Sequence, residues 1–288
     1  MAQHRDKVLA DLGFLARLNL YEEVKPYGLR FPPPQGLAQS NIEGHTQSVN
    51  VQNGRLQDQK FSFDSRGFCL APFSTSMKYT DFDEPLMVKD VYCAEVAEAV
   101  KAGVAGARHT RVIDFSASNY LGHPPVAAAD VNFTPDIAVQ MIKTLYGPRA
   151  DEVISQGWAI VNAWKPLKDA VVDWPLAVCD SRTFDAEHDG APADVVYRDW
   201  ISEDVLVHHA TSQEWWYFPE QRPDEILFFK SVDSEKGLNA ACPHVAFANP
   251  RASPHAPLRE SVDCRVIVFF TKASELPPEV GQLYGAKD

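Results

Sequence analysis

Apolar residues recur at helical spacing in the first half of the chain and change to short runs in its second half. Near the N-terminus, Val8, Leu12 and Leu15 are spaced as on one face of an amphipathic helix. A second run, rich in Ala and Glu, follows the capping residue Asp90, and a third begins at the favourable start Thr134-Pro135-Asp136. These patterns predict helices over residues 5–19, 91–104 and 134–146.

From about residue 157 onward, short apolar runs alternate with turn-forming residues, which is typical of strands. A shorter candidate strand precedes them at 111–115. Helices first and strands later favour an α+β domain in which helices buttress a β-sandwich or barrel. The predicted strands cover residues 159–164, 176–179, 205–209, 215–218, 226–230, 244–248 and 262–270.

The strand run contains no linker, so we expect one domain over residues 1–288. Residues 26–34 are rich in proline, and residues 38–60 are polar with weak periodicity. We therefore expect residues 1–60 to form an N-terminal helix and a Pro-rich, polar extension packed on a β core of about 60–272.

Composition and charge exclude several classes of protein. The chain is 45% hydrophobic and 23% charged, which is ordinary for a globular protein with a large core. A net charge of -12 argues against a nucleic-acid or anionic-membrane surface, and no apolar stretch approaches the ~20 residues of a membrane span. Five scattered cysteines without a C-x-x-C pair are typical of thiols in a reducing compartment, and the polar N-terminus does not resemble a signal peptide. These features predict a cytoplasmic protein.

The candidate chemistry begins with His244, which enters one predicted strand, and with Arg259-Glu260-Ser261, which opens the next. This order is the usual layout of a non-heme iron oxygenase. In that layout the His binds Fe(II), and the Arg and Ser hold the far carboxylate of 2-oxoglutarate. An upstream His-x-Asp completes the facial triad of iron ligands.

Further motifs carry a specific resemblance. In order and spacing, segments over roughly residues 60–272 resemble the fungal hydroxylase/desaturase family that includes the gibberellin desaturase and the aspirochlorine-pathway enzyme. Bacterial cephamycin-pathway proteins are similar. The resemblance implies a double-stranded β-helix (jelly-roll, cupin-like) core buttressed by helices, and a role in secondary metabolism. The matching segments are 64–68, 162–167, 175–180, 215–218, 223–227, 230–234, 243–247 and 257–265.

One segment departs from the family pattern. The family's first two metal ligands lie in Gly-Pro-Val…His-Val-Asp-x-Thr, which here corresponds to residues 123–134. Asp130 stands where the ligand His is expected, and Asn132 where the ligand Asp is expected. Farther on, Gln213 replaces a family His. The resemblance therefore implies that the iron triad is lost; the alternative is that Asp130 and Asn132 only cap the helix at Thr134.

We expect a non-oxidative enzyme on this oxygenase-derived scaffold: a cyclase (including a pericyclase), an isomerase or a dehydratase. Its substrate would be a small apolar polyketide, terpenoid or alkaloid-like molecule, with no cofactor and no metal. A shaped cavity would fold the substrate, and a few donors would polarise it. Asp130 or His244 would be the acid or base, and Arg259 or Lys230 the oxyanion partner. The predicted substrate-binding residues are Asn132, Gln213, Trp216, Tyr217 and Ser261.

Two other functions remain open at this point. One is an Fe(II)/2-oxoglutarate-dependent hydroxylase or desaturase with a degenerate metal site. The other is a non-catalytic small-molecule-binding or partner subunit. His244 could equally be a satisfied core histidine, and Arg259 could simply pair with a neighbouring acid. The oligomeric state is left open.

Overall fold

The computed structural model describes residues 6–56, 61–118, 128–281 and 283. Within this part of the chain, fourteen strands form two sheets. The strands are β1 (Lys7–Leu15), β2 (Tyr27–Leu29), β3 (Gly44–Asn53), β4 (Phe68–Pro72), β5 (His109–Ser118), β6 (Asp130–Val131), β7 (Trp158–Pro166), β8 (Leu176–Cys179), β9 (Gly190–Val196), β10 (Ile201–Val207), β11 (Trp215–Tyr217), β12 (Glu225–Asp233), β13 (His244–Ala246) and β14 (Ser261–Phe269).

Of the helices in the described residues, only two are longer than five residues. They are α1 (Leu20–Glu23), α2 (Phe63–Arg66), α3 (Pro85–Met87), α4 (Cys93–Gly103), α5 (Pro135–Tyr146), α6 (Ala150–Ile154) and α7 (Ala186–Asp189). A π-helical turn, Val88–Tyr92, joins α3 to α4. Single 3-10 turns occupy Gly54–Leu56, Tyr79–Asp83, Gly147–Arg149, Ser181–Thr183, Leu238–Ala240 and Ala273–Glu275. Over the described ranges, no helix combines the length and apolarity needed to cross a membrane.

The two sheets form the predicted jelly roll. The larger has the order β1-β3-β11-β8-β13-β6-β10-β9-β2, and the smaller has the order β4-β12-β7-β14-β5. Pairing is antiparallel except where β11 meets β3 and where β2 meets β9. Most neighbours in each sheet, such as β7 and β14, are distant in sequence, as a double-stranded β-helix requires, whereas β9 and β10 form a hairpin. The predicted α+β jelly-roll class is confirmed.

The N-terminal prediction is wrong, because residues 7–15 form a strand and not a helix. Val8, Leu12 and Phe14 are buried, whereas Leu9 is 61% exposed. Buried residues at every second position mark one face of a strand, and β1 pairs with β3 along its whole length. Residues 1–60 are therefore not a helix with an extension, since their described part adds β1, β2 and β3 to the larger sheet.

The two longer predicted helices are confirmed, as α4 with its preceding turns and as α5. Val96 and Val100 of α4 pack on one face of the smaller sheet, against Cys264 and Val266 of β14. On the other face, Ile142 of α5 packs in a cluster with residues such as Ile160 and Ile267. The smaller sheet thus has α4 on its outside, while α5 and α6 pack against the end of the barrel.

Strand alternation decides which side chains reach the barrel interior. On β7, Val161 and Ala163 belong to the outer core under α4. Trp164 points the other way and packs with Val178 and Trp216 of the larger sheet. The space between the sheets is therefore lined by every second residue of each strand, and the candidate site lies there.

Candidate functional site

Asp130 and His244 face one another inside the barrel. Strand β6 lies beside β13, and the register sets Asp130 directly opposite His244, so both side chains project from the same face. His244 Nε2 is 4.0 Å from Asp130 Oδ1. The His244 ring also packs on Phe229 of the smaller sheet, with ring centroids 4.7 Å apart. This contact shows that the pair points towards the opposing sheet.

Two asparagines hold the Asp130 carboxyl group. Asn132 Nδ2 donates to Asp130 Oδ2 at 3.3 Å, and Asn132 Oδ1 accepts from Asn162 Nδ2 at 3.0 Å. Asn162 lies on β7 and is fully buried. The alternative that Asp130 and Asn132 cap α5 is wrong, because the N-cap residue is Thr134 and the two side chains bond elsewhere.

A buried arginine sits among several carboxyl groups in the same interior. Arg265 on β14 donates from Nε to Asp114 and lies 3.9 Å from Asp263. Asp263 and Arg265 share the inner face of β14, whose outer face is apolar. Asp204 on β10 accepts a hydrogen bond from the backbone N–H of Phe133 at 3.3 Å. The interior is therefore polar and rich in acids at this level.

Burial places the pKa of the Asp130 carboxyl above that of the His244 imidazole, which reverses their ordinary order. It raises the pKa of Asp130 to about 7, although Arg265 opposes the shift. Burial lowers the pKa of His244 to about 4. Burial, with the nearby Asp130 carboxyl, raises the pKa of Asp204 to about 6. Between these limits Asp130 is protonated while the His244 imidazole is neutral, so an acid and a base stand side by side.

The same surroundings shift the pKa values of Asp263 and Arg265. Burial raises the pKa of Asp263, against the attraction of Arg265. Burial disfavours the charge of Arg265, but the Asp114 and Asp263 carboxylates outweigh it and raise the pKa of that guanidinium. Arg265 therefore stays charged and offsets part of the acidic cluster, which explains how so many carboxyl groups share one interior.

Adjacent aromatic residues of β11 lie on opposite faces. Trp216 is in register with Val178, which is in register with His244, so Trp216 shares the interior face with the candidate site. Tyr217 packs in the outer core, with its ring 5.5 Å from that of Phe247. Trp216 therefore lies on the face of the sheet that carries His244, and Tyr217 lies on the opposite face.

Two other predicted residues lie away from the pair. Lys230 follows Phe229 on β12, so its side chain leaves the opposite face; it donates to Asp233 Oδ2 at 2.9 Å and lies over the Phe63 ring. Gln213 is buried beneath the loop before β11, where its Nε2 donates to the His208 carbonyl at 2.9 Å. Neither the oxyanion role of Lys230 nor substrate binding by Gln213 agrees with these contacts.

Arg259 and Ser261 lie at the start of β14. The Arg259 guanidinium is 5.6 Å from the Trp164 ring centroid and donates to the Trp174 carbonyl at 2.9 Å. Burial lowers its pKa to about 10. Ser261 is buried on the inner face, two residues before Asp263. Arg259 therefore contacts Trp164 and Trp174, whereas the cation that acts on the His244 pKa is Arg265.

Several interior residues were missed by the sequence reasoning. A signal was present for two of them, because Asp263 and Arg265 interrupt an apolar strand at every second position. Asn162 is likewise a lone polar residue in an apolar run. Asp114 and Asp204 carried no comparable signal, since only long-range pairing brings them to the site. Residues 123–127 of the family segment lie outside the described residues.

The donor set around Asp130 does not match the iron triad. Asp130, Asn132 and His244 supply one carboxyl, one carboxamide and one imidazole, whereas the Fe(II) triad has two imidazoles and one carboxylate. The amide oxygen of Asn132 is already bonded to Asn162. Across the described ranges, no three His, Cys, Asp or Glu side chains are arranged to hold a metal ion. Arg259, by contrast, retains donors that suit a carboxylate.

Fold and site together define a jelly-roll protein with a facing carboxyl–imidazole pair in its barrel. A family model described as "Oxidoreductase/YMDC permease-like domain" matches residues 12–269, and the chain belongs to this family. The hydroxylase/desaturase efuI of Hormonema carpetanum is 28% identical to it over 288 residues, covering 88% of this chain and 94% of that protein. The aspirochlorine biosynthesis protein N of Aspergillus oryzae is 35% identical over 162 residues, covering 54% and 67%.

The Fe(II)/2-oxoglutarate-dependent dioxygenase nvfI of Aspergillus novofumigatus is similar in both sequence and structure. It is 29% identical over 257 residues, covering 83% of this chain and 89% of that protein. A solved structure of the iron and alpha-ketoglutarate-dependent endoperoxidase NvfI superimposes with a TM-score of 0.80 at 26% identity, covering 92% of this chain and 98% of that one. The relatives are thus fungal enzymes, and the resemblance extends over nearly the whole chain.

Proposed function

We propose that this protein is an enzyme of secondary-metabolite biosynthesis that catalyses a cyclisation, isomerisation or dehydration without iron or 2-oxoglutarate. The observation that carries the proposal is the Asp130–His244 pair. Its two members face each other at 4.0 Å, with the carboxyl pKa raised to about 7 and the imidazole pKa lowered to about 4. Groups whose environments separate their pKa values in this way are suited to act as an acid and a base.

Proton transfer follows directly from this arrangement. Near neutral pH the protonated Asp130 donates its proton to a carbonyl, a leaving hydroxyl or an alkene carbon of the substrate. Neutral His244 accepts a proton from a neighbouring carbon, and the proton then returns to Asp130 across the short gap. The enzyme ends as it began, and the substrate is rearranged or loses water. No oxidant is consumed, and positioned acid–base groups of this kind contribute about 10²–10⁴-fold to rates.

The surrounding side chains support the same chemistry. Asn162 fixes Asn132, and Asn132 fixes one oxygen of Asp130, so the carboxyl group is held in one orientation. Phe229, Trp216 and Val178 form an apolar wall beside this polar cluster. A wall of this kind suits a small, mostly apolar polyketide, terpenoid or alkaloid-like substrate. Arg259, at the start of β14, would bind a carbonyl or carboxylate oxygen of the substrate.

The test uses mass balance. The purified protein would be incubated, under nitrogen with a chelator, with metabolite extract from a strain lacking this protein, and the products followed by mass spectrometry. We expect a product that is an isomer of a consumed compound, or that differs from it by one water. The Asp130→Asn variant should form it at least tenfold more slowly. A product that has gained oxygen or lost two hydrogens, formed only with Fe(II), 2-oxoglutarate and air, would refute the proposal.

That second outcome corresponds to the other candidate, an Fe(II)/2-oxoglutarate-dependent hydroxylase or desaturase. The structural similarity to NvfI and the position of Arg259 favour it. Arg259 would hold the cofactor carboxylate, and the cofactor with iron would supply oxidation. The donor set of Asp130, Asn132 and His244 argues against it. Binding of a metabolite without any turnover would instead indicate a non-catalytic binding or partner subunit.

A further inference from the structure

A groove lies at the end of the barrel that α5 covers, between α5, the middle of β5 and the start of β10. Its volume is about 130 Å³. Phe133 and Ile113 form a buried floor, each less than 10% exposed, whereas Ile201 at the rim is 55% exposed. Ile137 and Met141 of α5 form one side. The groove is therefore an apolar recess with one open side.

The volume and the lining limit what the groove can hold. An engineered apolar cavity of about 150 Å³ is known to bind benzene, so this recess has room for one six-membered ring or one branched five-carbon unit. Asp114 also lines the recess, but its carboxylate already accepts a hydrogen bond from Arg265. Because that charge is balanced, the groove does not favour a cation. The side-chain amide of Gln140 adds one group that can bond a hydroxyl or carbonyl.

The backbone at the floor supports a specialised role. Phe133 has a φ of 66°, a left-handed conformation that is uncommon for an aromatic residue. The Asp204 carboxyl accepts its N–H, and the Arg265 guanidinium lies 5.8 Å from its ring centroid. Strained residues persist where their surroundings hold them, and they concentrate at ligand sites. Phe133 also follows Asn132 directly, so the groove lies next to the residue that bonds Asp130.

We propose that this groove is a binding site for the neutral, apolar ring or branched chain of a small molecule that carries a hydroxyl or carbonyl group. Asp130 and His244 do not line it. Binding in the groove can therefore be tested apart from the acid–base chemistry, and it can hold even if that chemistry does not.

The test follows the ¹⁹F linewidth of 4-fluorophenol as the full-length protein is titrated, with cyclohexanol as a competitor. For so small a probe we expect a dissociation constant on the order of 1 mM. The variants Ile137→Trp and Met141→Trp fill the recess from two positions and should weaken binding at least tenfold. Leu86→Trp, which adds the same ring at an exposed position of α3, should bind as the wild type does.

Two further measurements locate the probe and define its class. Asp130→Asn should leave probe affinity unchanged, because Asp130 lies outside the groove. Cyclohexylammonium should compete far less than cyclohexanol. The proposal is overturned if the wild type shows no broadening at ten times the expected dissociation constant. It is also overturned if both tryptophan variants keep the wild-type circular dichroism and melting temperature yet bind the probe equally well.

Discussion

Asn162 donates a hydrogen bond to Asn132 across the barrel interior, and this bond joins the two sheets at the candidate site. Asn162 belongs to the smaller sheet, while Asn132 follows β6 of the larger one. Asn132 in turn donates a hydrogen bond from its amide nitrogen to Asp130 Oδ2. The orientation of the Asp130 carboxyl therefore depends on Asn162, a residue 32 positions away in sequence.

The first prediction tests this bond. Asn162→Ala should destabilise the fold by about 1–3 kcal/mol. The substitution removes the Asn162 amide that donates the hydrogen bond, and the carbonyl oxygen of the Asn132 side chain is left without a donor. Urea unfolding of the two single variants, Asn162→Ala and Asn132→Ala, and of the double variant gives the coupling energy between them. We expect a coupling of about 1 kcal/mol. Strictly additive effects would show that the bond does not connect the sheets.

The second prediction concerns the stability cost of Asp130. Burial raises its pKa from 3.8 to about 7 in the folded protein. Between these values the folded state binds more protons than the unfolded state, so this residue makes stability fall as pH rises. Asp130→Asn removes the effect. Relative to wild type, the variant should gain stability from pH 4 to pH 8, by at most about 4 kcal/mol at 1.4 kcal/mol per pKa unit.

Urea unfolding at pH 5 and pH 8 measures this gain, and the exposed Asp83→Asn serves as control. His244 contributes in the opposite sense. Its pKa is lowered, so its own contribution to stability is present above pH 6.5 and is lost as pH falls towards 4. Comparing each variant with wild type at the same pH removes that contribution. A pH-independent difference for Asp130→Asn would mean that the carboxyl is already ionised in the folded protein.

The strands and the opening helix show how much of the fold could be predicted from the sequence. The strands from β7 to β14 that were predicted follow from short apolar runs, and they were placed to within a few residues. The opening helix failed because Val8 and Leu12 fit both a helical and an alternating pattern. Only pairing with β3, some forty residues away, selects the strand. Local periodicity carries no information about that partner.

The candidate site could likewise be predicted only in part from the sequence. Asp130 and His244 were found from their place in the motif, and register brings them together. Lys230 and Tyr217 lie in segments that match the family, but the residues before them, Phe229 and Trp216, are the ones that face inward. Which face is inward depends on the opposing sheet. Arg265 could not be assigned to the pair for this reason, since its partner Asp114 is 151 residues away.

The third prediction is the pH profile of the reaction. If protonated Asp130 is the acid, the rate should fall as pH rises through about 7, and it should also fall towards pH 4 as His244 becomes protonated. Asp130→Asn should lose the alkaline limb together with about 10²–10⁴-fold of the rate. His244→Gln should lose the acid limb. An unchanged profile in both variants would place the acid and base elsewhere.

The fourth prediction restores the metal ligands. Wild-type protein should contain no stoichiometric iron by elemental analysis. The double variant Asp130→His with Asn132→Asp, facing His244, should gain measurable Fe(II) or Co(II) affinity in anaerobic titration calorimetry. Asn162 would then donate to the new carboxylate, as the outer partners of metal ligands commonly do. Asp130→His alone is the matched control and should bind more weakly. A folded double variant without affinity would show that these positions do not form the metal site.

The last prediction uses Trp216 and Tyr217, which are adjacent in sequence and equally buried but lie on opposite faces of β11. Each loses a large aromatic ring when replaced by leucine, so both variants should lower the melting temperature. Only Trp216→Leu removes aromatic bulk from the face that Val178 shares with His244. If this inner face shapes the substrate, the variant should change the product ratio or lower kcat at least tenfold, while Tyr217→Leu keeps both. Arg259→Ala, measured alongside, should cost about 2–4 kcal/mol of transition-state stabilisation if its guanidinium binds a developing oxyanion. Equal effects of the two leucine variants on kcat would mean that general loosening of the barrel, and not the shape of the inner wall, controls the reaction.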